Sequence, residues 1–205
     1  MNTLYMYEWR KIEPEERKAL LEERQRLNCS WHRPSRQQLG DWWHITAACY
    51  EHKPLIGLTP ERMNSFSHDL LDCVSADSLE ISAWCLLPNH YHLLVRVIDE
   101  KILSKSLGKL HGRTSHAWNV EEGLTGRKCF HGLLPKPIKS LEHRWATLNY
   151  IHHNPVKHGY VEKWQDWPYT SAHAYLKEMG KAQAAKFWRE YPVLDMGKGW
   201  DEERG

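Results

Sequence analysis

Paired cysteines are missing from this chain. Its five cysteines (Cys29, Cys49, Cys73, Cys85 and Cys129) are odd in number, widely spaced and never form a Cys-x-x-Cys pair. That argues against both a disulfide framework and a thiolate zinc site, and a reducing cytoplasm fits best. Long hydrophobic runs are missing too: no stretch approaches the ~20 apolar residues that span a bilayer, and the segment from Glu8 to Arg26 is charged. The expectation is a protein neither exported nor embedded in a membrane. An excess of one charge is also lacking. The 28 Lys and Arg stand against 26 Asp and Glu, a net charge of +2, which excludes a histone-like basic protein and leaves room for a local basic groove. Phenylalanine is scarce, three against eleven Trp and nine Tyr, so most large rings carry a polar edge suited to half-wet surfaces or base stacking. What the chain has in unusual number is histidine, fourteen of them.

A length of 205 residues suits one core with added arms. Residues 14 to 27 read as a polar helix opened by Pro14, and residues 28 to 40 have linker composition. The pattern then predicts a strand over 42–50 and a helix from Thr59-Pro60-Glu61 to about Ser75, with Met63, Phe66, Leu70 and Val74 inward. A strand follows over 79–87, then a Pro88-Asn89 turn and a strand over 90–97. A helix over 99–118 carries Lys101, Lys105, Lys109 and Arg113. A short strand is expected over 126–133, and a helix from Ser140 to Asn154, stopped by Pro155. The order strand-helix-strand-strand-helix-strand predicts an α+β, ferredoxin-like (RRM-like) fold, an antiparallel sheet with helices on one face. The expected organisation is an N-terminal helical arm and linker over 1–40, a core over 41–161, and a helical C-terminal extension over 162–205 packed on that core.

Two segments carry chemistry. In Pro88-Asn89-His90-Tyr91-His92-Leu93-Leu94-Val95 the two histidines lie two apart in a strand, so both imidazoles leave one face while Tyr91 leaves the other. Two convergent ring nitrogens can hold a divalent metal, although a bare His-x-His is as often an unrelated surface pair. In Asn149-Tyr150-Ile151-His152-His153-Asn154-Pro155-Val156, four residues separate Tyr150 from Asn154, which places a phenol and a carboxamide on one helix face. A phenol becomes a useful nucleophile where a cation offsets the charge that develops, and a carboxamide oxygen suits Mg²⁺ or Mn²⁺. Alone, this segment reads better as a core tyrosine and a helix-ending asparagine.

Together the segments resemble the single-tyrosine HUH transposases. These carry a Pro-Asn-His-x-His-Leu-Leu-Val strand and, later, a helix reading Tyr-Ile-x-x-Asn-Pro-Val followed by a basic residue and Gly. Here the counterparts are PNHYHLLV at 88–95 and YIHHNPVKHGYV at 150–161. WQDWPYTSAHAYL at 164–176 looks like the Trp-Pro-x-Ser-Ser segment of the branch associated with repetitive extragenic palindromes (REP), with Thr170 in place of the first serine. His158 stands where a small residue is more usual. The resemblance covers about residues 42–176. It implies a metal-dependent endonuclease and strand-transferase for single-stranded or hairpin DNA. His90, His92 and Asn154 would hold Mg²⁺ or Mn²⁺, and Tyr150 would be the nucleophile that becomes 5′-phosphotyrosyl-linked. It further implies a nucleoid-associated cytoplasmic protein, with no membrane partner, that works as a monomer or homodimer.

Other residues carry weaker signals. His44 could sit near the site, His152 or His153 could approach a phosphate, and Arg127, Lys128, Lys136 and Lys139 could touch a DNA backbone. Trp42, Trp43 and Trp84 suit a core or a sheet face better than a stacking platform. Two other functions compete. A histidine-triad nucleotide hydrolase needs a third histidine where Leu94 stands, which argues against it. A non-catalytic ferredoxin-like nucleic-acid-binding protein has no need of His90, His92, Tyr150 and Asn154 together.

Overall fold

Thr59, Asp99 and Ser140 are each followed by a run of helical periodicity, and each becomes an N-cap. Thr59 accepts from Arg62 N, Asp99 from Lys101 N and Ser140 from His143 N. The computed structural model describes residues 41–193; the helix expected over 14–27 lies outside them. The elements are β1 (Trp42–Ala48), α1 (Pro60–Asp77), β2 (Glu80–Leu86), β3 (His90–Arg96), α2 (Glu100–Glu121), β4 (Leu134–Pro137), α3 (Leu141–Lys157), α4 (Ala172–Met179) and α5 (Lys181–Glu190). The four strands form one antiparallel sheet in the order β2-β3-β1-β4.

Strand alternation divides the sheet into two differently filled faces. Ile45 and Ala47 of β1 and Tyr91, Leu93 and Val95 of β3 meet Met63, Phe66, Leu70 and Val74 of α1 and Leu103, Leu107, Leu110 and Trp118 of α2. The two helices that follow β1 and β3 thus cover one face, as the ferredoxin-like pattern requires. The other face is covered by α3, whose Leu148, Tyr150 and Ile151 pack against Trp42, Ala83, Cys85 and Leu94. A bulge between Ile81 and Ala83 changes the parity of β2, so Ile81 packs under α1 and α2 while Ala83 faces α3.

Two expectations need correction. The fourth strand is not 126–133 but Leu134–Pro137, and of the earlier segment only Phe130 bridges Cys49. Two prolines sit in that strand, which pairs with β1 alone and so tolerates the missing N–H groups of an edge. Nor does Pro155 stop α3, which runs on to Lys157. A proline in the last turn forfeits little, and the stop comes from Gly159 at φ 71°, with Gly159 N donating to Val156 O and Tyr160 N to Pro155 O. The turn before β3 depends on Gly57, whose N donates to Pro88 O, because a Cβ there would lie 2.5 Å from Pro88 Cβ.

The segment after α3 is clipped to the free edge of β2. Leu86 N donates to Tyr169 O, Ser171 N to Trp84 O, Trp84 N to Ser171 Oγ (2.9 Å) and Trp167 Nε1 to Leu86 O (2.8 Å). These bonds satisfy backbone groups that an open edge would present to another chain. Asn149 Nδ2 of α3 then donates to Phe187 O and Tyr191 O, tying the end of α5 to the same helix. Cys49, Cys73, Cys85 and Cys129 are all free thiols. Among the described residues no helix is long and apolar enough to cross a membrane.

Candidate functional site

On β3, parity sends Tyr91 into the core beneath α1 and α2, where its hydroxyl lies 3.0 Å from His111 Nε2 and burial raises its pKa well above the usual range. His90 and His92 leave the opposite face, toward α3. There Tyr150 and Asn154 occupy successive turns. Asn154 Oδ1 lies 3.0 Å from His90 Nε2, and the Tyr150 ring stands edge-on to the His92 ring with centroids 5.2 Å apart. The four residues singled out in the sequence therefore converge, all of them buried.

The hydrogen bonds around His90 fix its proton. Asn89 Nδ2 donates to His52 O at 3.1 Å, so its Oδ1 is the atom facing His90 Nδ1 at 2.8 Å, and a carboxamide oxygen can only accept. A neutral His90 therefore carries its proton on Nδ1, which leaves the Nε2 lone pair pointing at Asn154 Oδ1, another lone-pair atom. Asn154 Nδ2, meanwhile, is buried without a hydrogen-bond partner among the described residues. Either Asn154 turns its amide over or a cation takes up both lone pairs. The second arrangement is what a metal site needs, and the Asn89 bond is the kind of outer contact that orients a ligating imidazole.

His92 Nδ1 lies 2.9 Å from Thr46 Oγ1 and 3.2 Å from His44 Nε2, both on the neighbouring β1. With Nδ1 engaged in each ring, Nε2 is the nitrogen through which either histidine would ligate. Among the described residues no group of three or more His, Cys, Asp or Glu is placed to hold a metal, and the oxygen that meets His90 Nε2 is the carboxamide of Asn154. Two imidazoles and a carboxamide oxygen, all uncharged, suit a divalent ion that keeps open positions for phosphate oxygens.

His44, which the sequence left open, lies in the site, 2% exposed, with its ring 6.0 Å from that of Tyr150. Thr46 and Asn89 were not foreseen. Thr46 follows His44 by two and so shares its face, but only the β1–β3 register, Thr46 opposite His92, brings the two together. His158 also borders the site, its ring edge-on to that of His90 with centroids 4.9 Å apart, whereas His152 and His153 serve elsewhere. His152 Nε2 is 2.9 Å from Ser171 Oγ, its ring stacks on Trp164, and burial lowers its pKa to about 3. The His153 ring lies 5.2 Å from that of Trp188. Of the cations, Lys157 Nζ is 5.5 Å from the Tyr150 ring centre and Lys136 is paired across the sheet with His44, while Arg127 is committed to Glu122 at 2.7 and 2.8 Å. Trp42 is buried under the Arg144 guanidinium, 3.8 Å from its ring centre.

Sheet, helices and the histidine pair facing a tyrosine helix define an α+β protein of the ferredoxin-like kind. No protein-family model matches the chain. A Haemophilus influenzae protein assigned as a REP-associated tyrosine transposase is 31% identical over 48% of this chain, and the match spans 61% of that relative's length. The REP-associated tyrosine transposase of Escherichia coli is 25% identical over 65% of this chain and 78% of that protein. Among solved structures, a REP-associated tyrosine transposase bound to a REP hairpin has the same fold, with a TM-score of 0.54 at 22% identity, covering 70% of this chain and 82% of that one. The chain is a homologue of the REP-associated tyrosine transposases.

Proposed function

We propose that this protein is a metal-dependent single-stranded DNA endonuclease and strand-transferase, acting on hairpin DNA of the REP type through a 5′-phosphotyrosine at Tyr150. The observation that carries the reading is the convergence of His90 Nε2 and Asn154 Oδ1, with the His92 ring placed between that pair and the Tyr150 ring. His90, His92 and Asn154 would hold Mg²⁺ or Mn²⁺, which when bound supplies positive charge to offset the charge gathering on the phosphate oxygens. Asn89 and Thr46 hold the two imidazoles in orientation.

Tyr150 Oη forms a bond to phosphorus while the bond from phosphorus to the 3′-oxygen breaks. The phenol gives up its proton, and the departing 3′-oxygen ends as a hydroxyl. One phosphodiester is exchanged for another, so a second 3′-hydroxyl can reverse the step and join a new strand without ATP. The choice of substrate is supported by the solved REP-associated tyrosine transposase, which is bound to a REP hairpin. Here the hairpin would be read partly by shape and its single-stranded flank by its bases.

The test is incubation of the full chain with end-labelled hairpin DNA bearing a single-stranded flank, in Mn²⁺ and in EDTA. An SDS-resistant protein–DNA adduct that forms only with the metal supports the reading. Hairpin binding with no adduct under any metal would favour a non-catalytic binding protein instead.

A further inference from the structure

Pairing continues beyond the last residue of β1. Tyr50 N donates to Cys129 O at 2.9 Å, His131 N donates to Ala48 O at 2.8 Å, and Cys49 bridges Phe130. This extra antiparallel contact collects Tyr50 and His52 from one side and Lys128 and His131 from the other. The Tyr50 and His131 rings lie 4.9 Å apart, those of His52 and His131 6.2 Å, and Lys128 Nζ sits 4.8 Å from the Tyr50 ring centre. Lys128 and His131 are exposed, Tyr50 and His52 half-buried. None of the four belongs to the tyrosine site, and among the described residues Lys128 makes no ion pair.

Three details make this more than a chance grouping. Glu51 and His52 hold φ of 54° and 51°, a left-handed conformation that residues other than glycine rarely keep without a reason in the surroundings. His131 Nε2 accepts from Glu51 N at 3.2 Å, which puts the proton of the neutral ring on Nδ1 and makes that nitrogen a donor. Asn89, the residue that orients His90, donates through Nδ2 to His52 O, so one side chain links the aromatic turn to the proposed metal ligand. Glu51 brings one carboxylate to the patch, offset by Lys53 Nζ at 2.6 Å.

Aromatic faces beside an ammonium and a ring N–H suit an unpaired nucleotide. A duplex keeps its base faces stacked on one another, and only a single strand can offer one to a ring while its phosphate meets the cation. A groove of about 390 Å³ runs on from Lys128 and His131 between α2 and residues 127–133, past the small Gly108 and Gly112, and gives the strand a path away from the patch. The geometry points to a stacking shelf formed by Tyr50, His52, Lys128 and His131 that holds an unpaired nucleotide of the substrate's single-stranded flank. The base takes the Tyr50 face that Lys128 now covers, and the ammonium on its flexible stem turns to the phosphate. This rests on the reading of the protein as one that acts on single-stranded DNA.

The experiment uses the full chain and fluorescein-labelled oligothymidylate of about twelve nucleotides, a length within the range of single-strand sites, against the same strand paired with oligodeoxyadenylate. The single strand is expected to bind better than the duplex. Tyr50→Ala should weaken single-strand binding roughly tenfold and Tyr50→Phe should restore it, since stacking needs the ring and not the hydroxyl. Lys128→Ala, at an exposed position that leaves the fold intact, should lower the slope of log affinity against log salt by about 0.7. Wild-type affinity and salt slope in both Tyr50→Ala and Lys128→Ala, or equal binding of duplex and single strand, would overturn the shelf. The shelf and the nuclease fail separately: adduct formation with shelf-independent binding sinks only the shelf, and shelf-dependent binding without any adduct sinks only the nuclease.

Discussion

The two faces of one sheet are built from the same strands and put to different uses. Under α1 and α2, β1 and β3 present Ile45, Ala47, Leu93 and Val95, with Tyr91 the one ring bearing a hydroxyl, and that hydroxyl meets His111. Facing α3, the same two strands present His44, Thr46, His90 and His92, with His44 and Thr46 in hydrogen-bond reach of His92 and Asn89 holding His90. One residue of register separates a mainly apolar face from one that sets buried polar groups beside its own apolar cluster. The contrast between Tyr91 and Tyr150 is the sharpest form of this. Both are fully buried phenols, but only Tyr150 lies against the rings of His92 and His44.

Single substitutions on either side should break or sharpen this division. The largest effect belongs to the polar face: His92→Ala should lower metal-dependent cleavage by roughly two orders of magnitude or more while the thermal midpoint moves only slightly. A gel assay beside a melting curve decides it, and intact cleavage would remove His92 from the chemistry. Next to it in sequence, Leu93→Ala should cost about 2–5 kcal/mol of stability through the cavity it leaves under α1 and α2. Cleavage per folded molecule should stay close to wild type; a catalytic defect as large as that of His92→Ala would mean that the faces are not separable.

The apolar face should also register acid. Burial lowers the His111 pKa to about 4, whereas in the unfolded chain it keeps its ordinary value of 6.5. Below pH 6.5 the unfolded state binds a proton that the native state refuses, so stability is full above that pH. It falls by about 1.4 kcal/mol per unit down to about pH 4. Urea midpoints across that range should slope less steeply in His111→Gln, and an unchanged slope would show that His111 is not the group responsible.

The smallest expected effect is that of the conservative change at Asn154. An aspartate there keeps an oxygen donor, so Asn154→Asp should retain cleavage within roughly tenfold with an altered preference between Mg²⁺ and Mn²⁺, whereas Asn154→Leu should lose it. Identical wild-type metal dependence in both variants would mean that the oxygen beside His90 Nε2 is not a ligand.

Much of this architecture was legible because it rests on local rules. Caps at Thr59 and Ser140 and the alternation around His90 and His92 are properties of a few adjacent residues, and the elements formed within a residue or three of where those rules put them. What could not be read depended on partners distant in sequence. Prolines argue against a strand at 134–137, and only its place at the sheet edge beside β1 makes them acceptable. Pro155 looked like a terminator because the capping bonds made by Gly159 and Tyr160 are invisible until the helix is built. In the site, spacing alone placed His90 with His92 and Tyr150 with Asn154. Thr46 and His44 reach His92 across 46 and 48 residues, and Asn89 gains its meaning from His52, 37 residues away.

The central claim, that the polar face exists to let Tyr150 act, is tested most directly by one substitution. Tyr150→Phe removes only the attacking oxygen from a ring that would still pack against His92. With a flanked hairpin and Mn²⁺ the account predicts no SDS-resistant protein–DNA adduct, while hairpin affinity stays within a few-fold of wild type. An adduct at wild-type yield would place the nucleophile elsewhere and contradict the account.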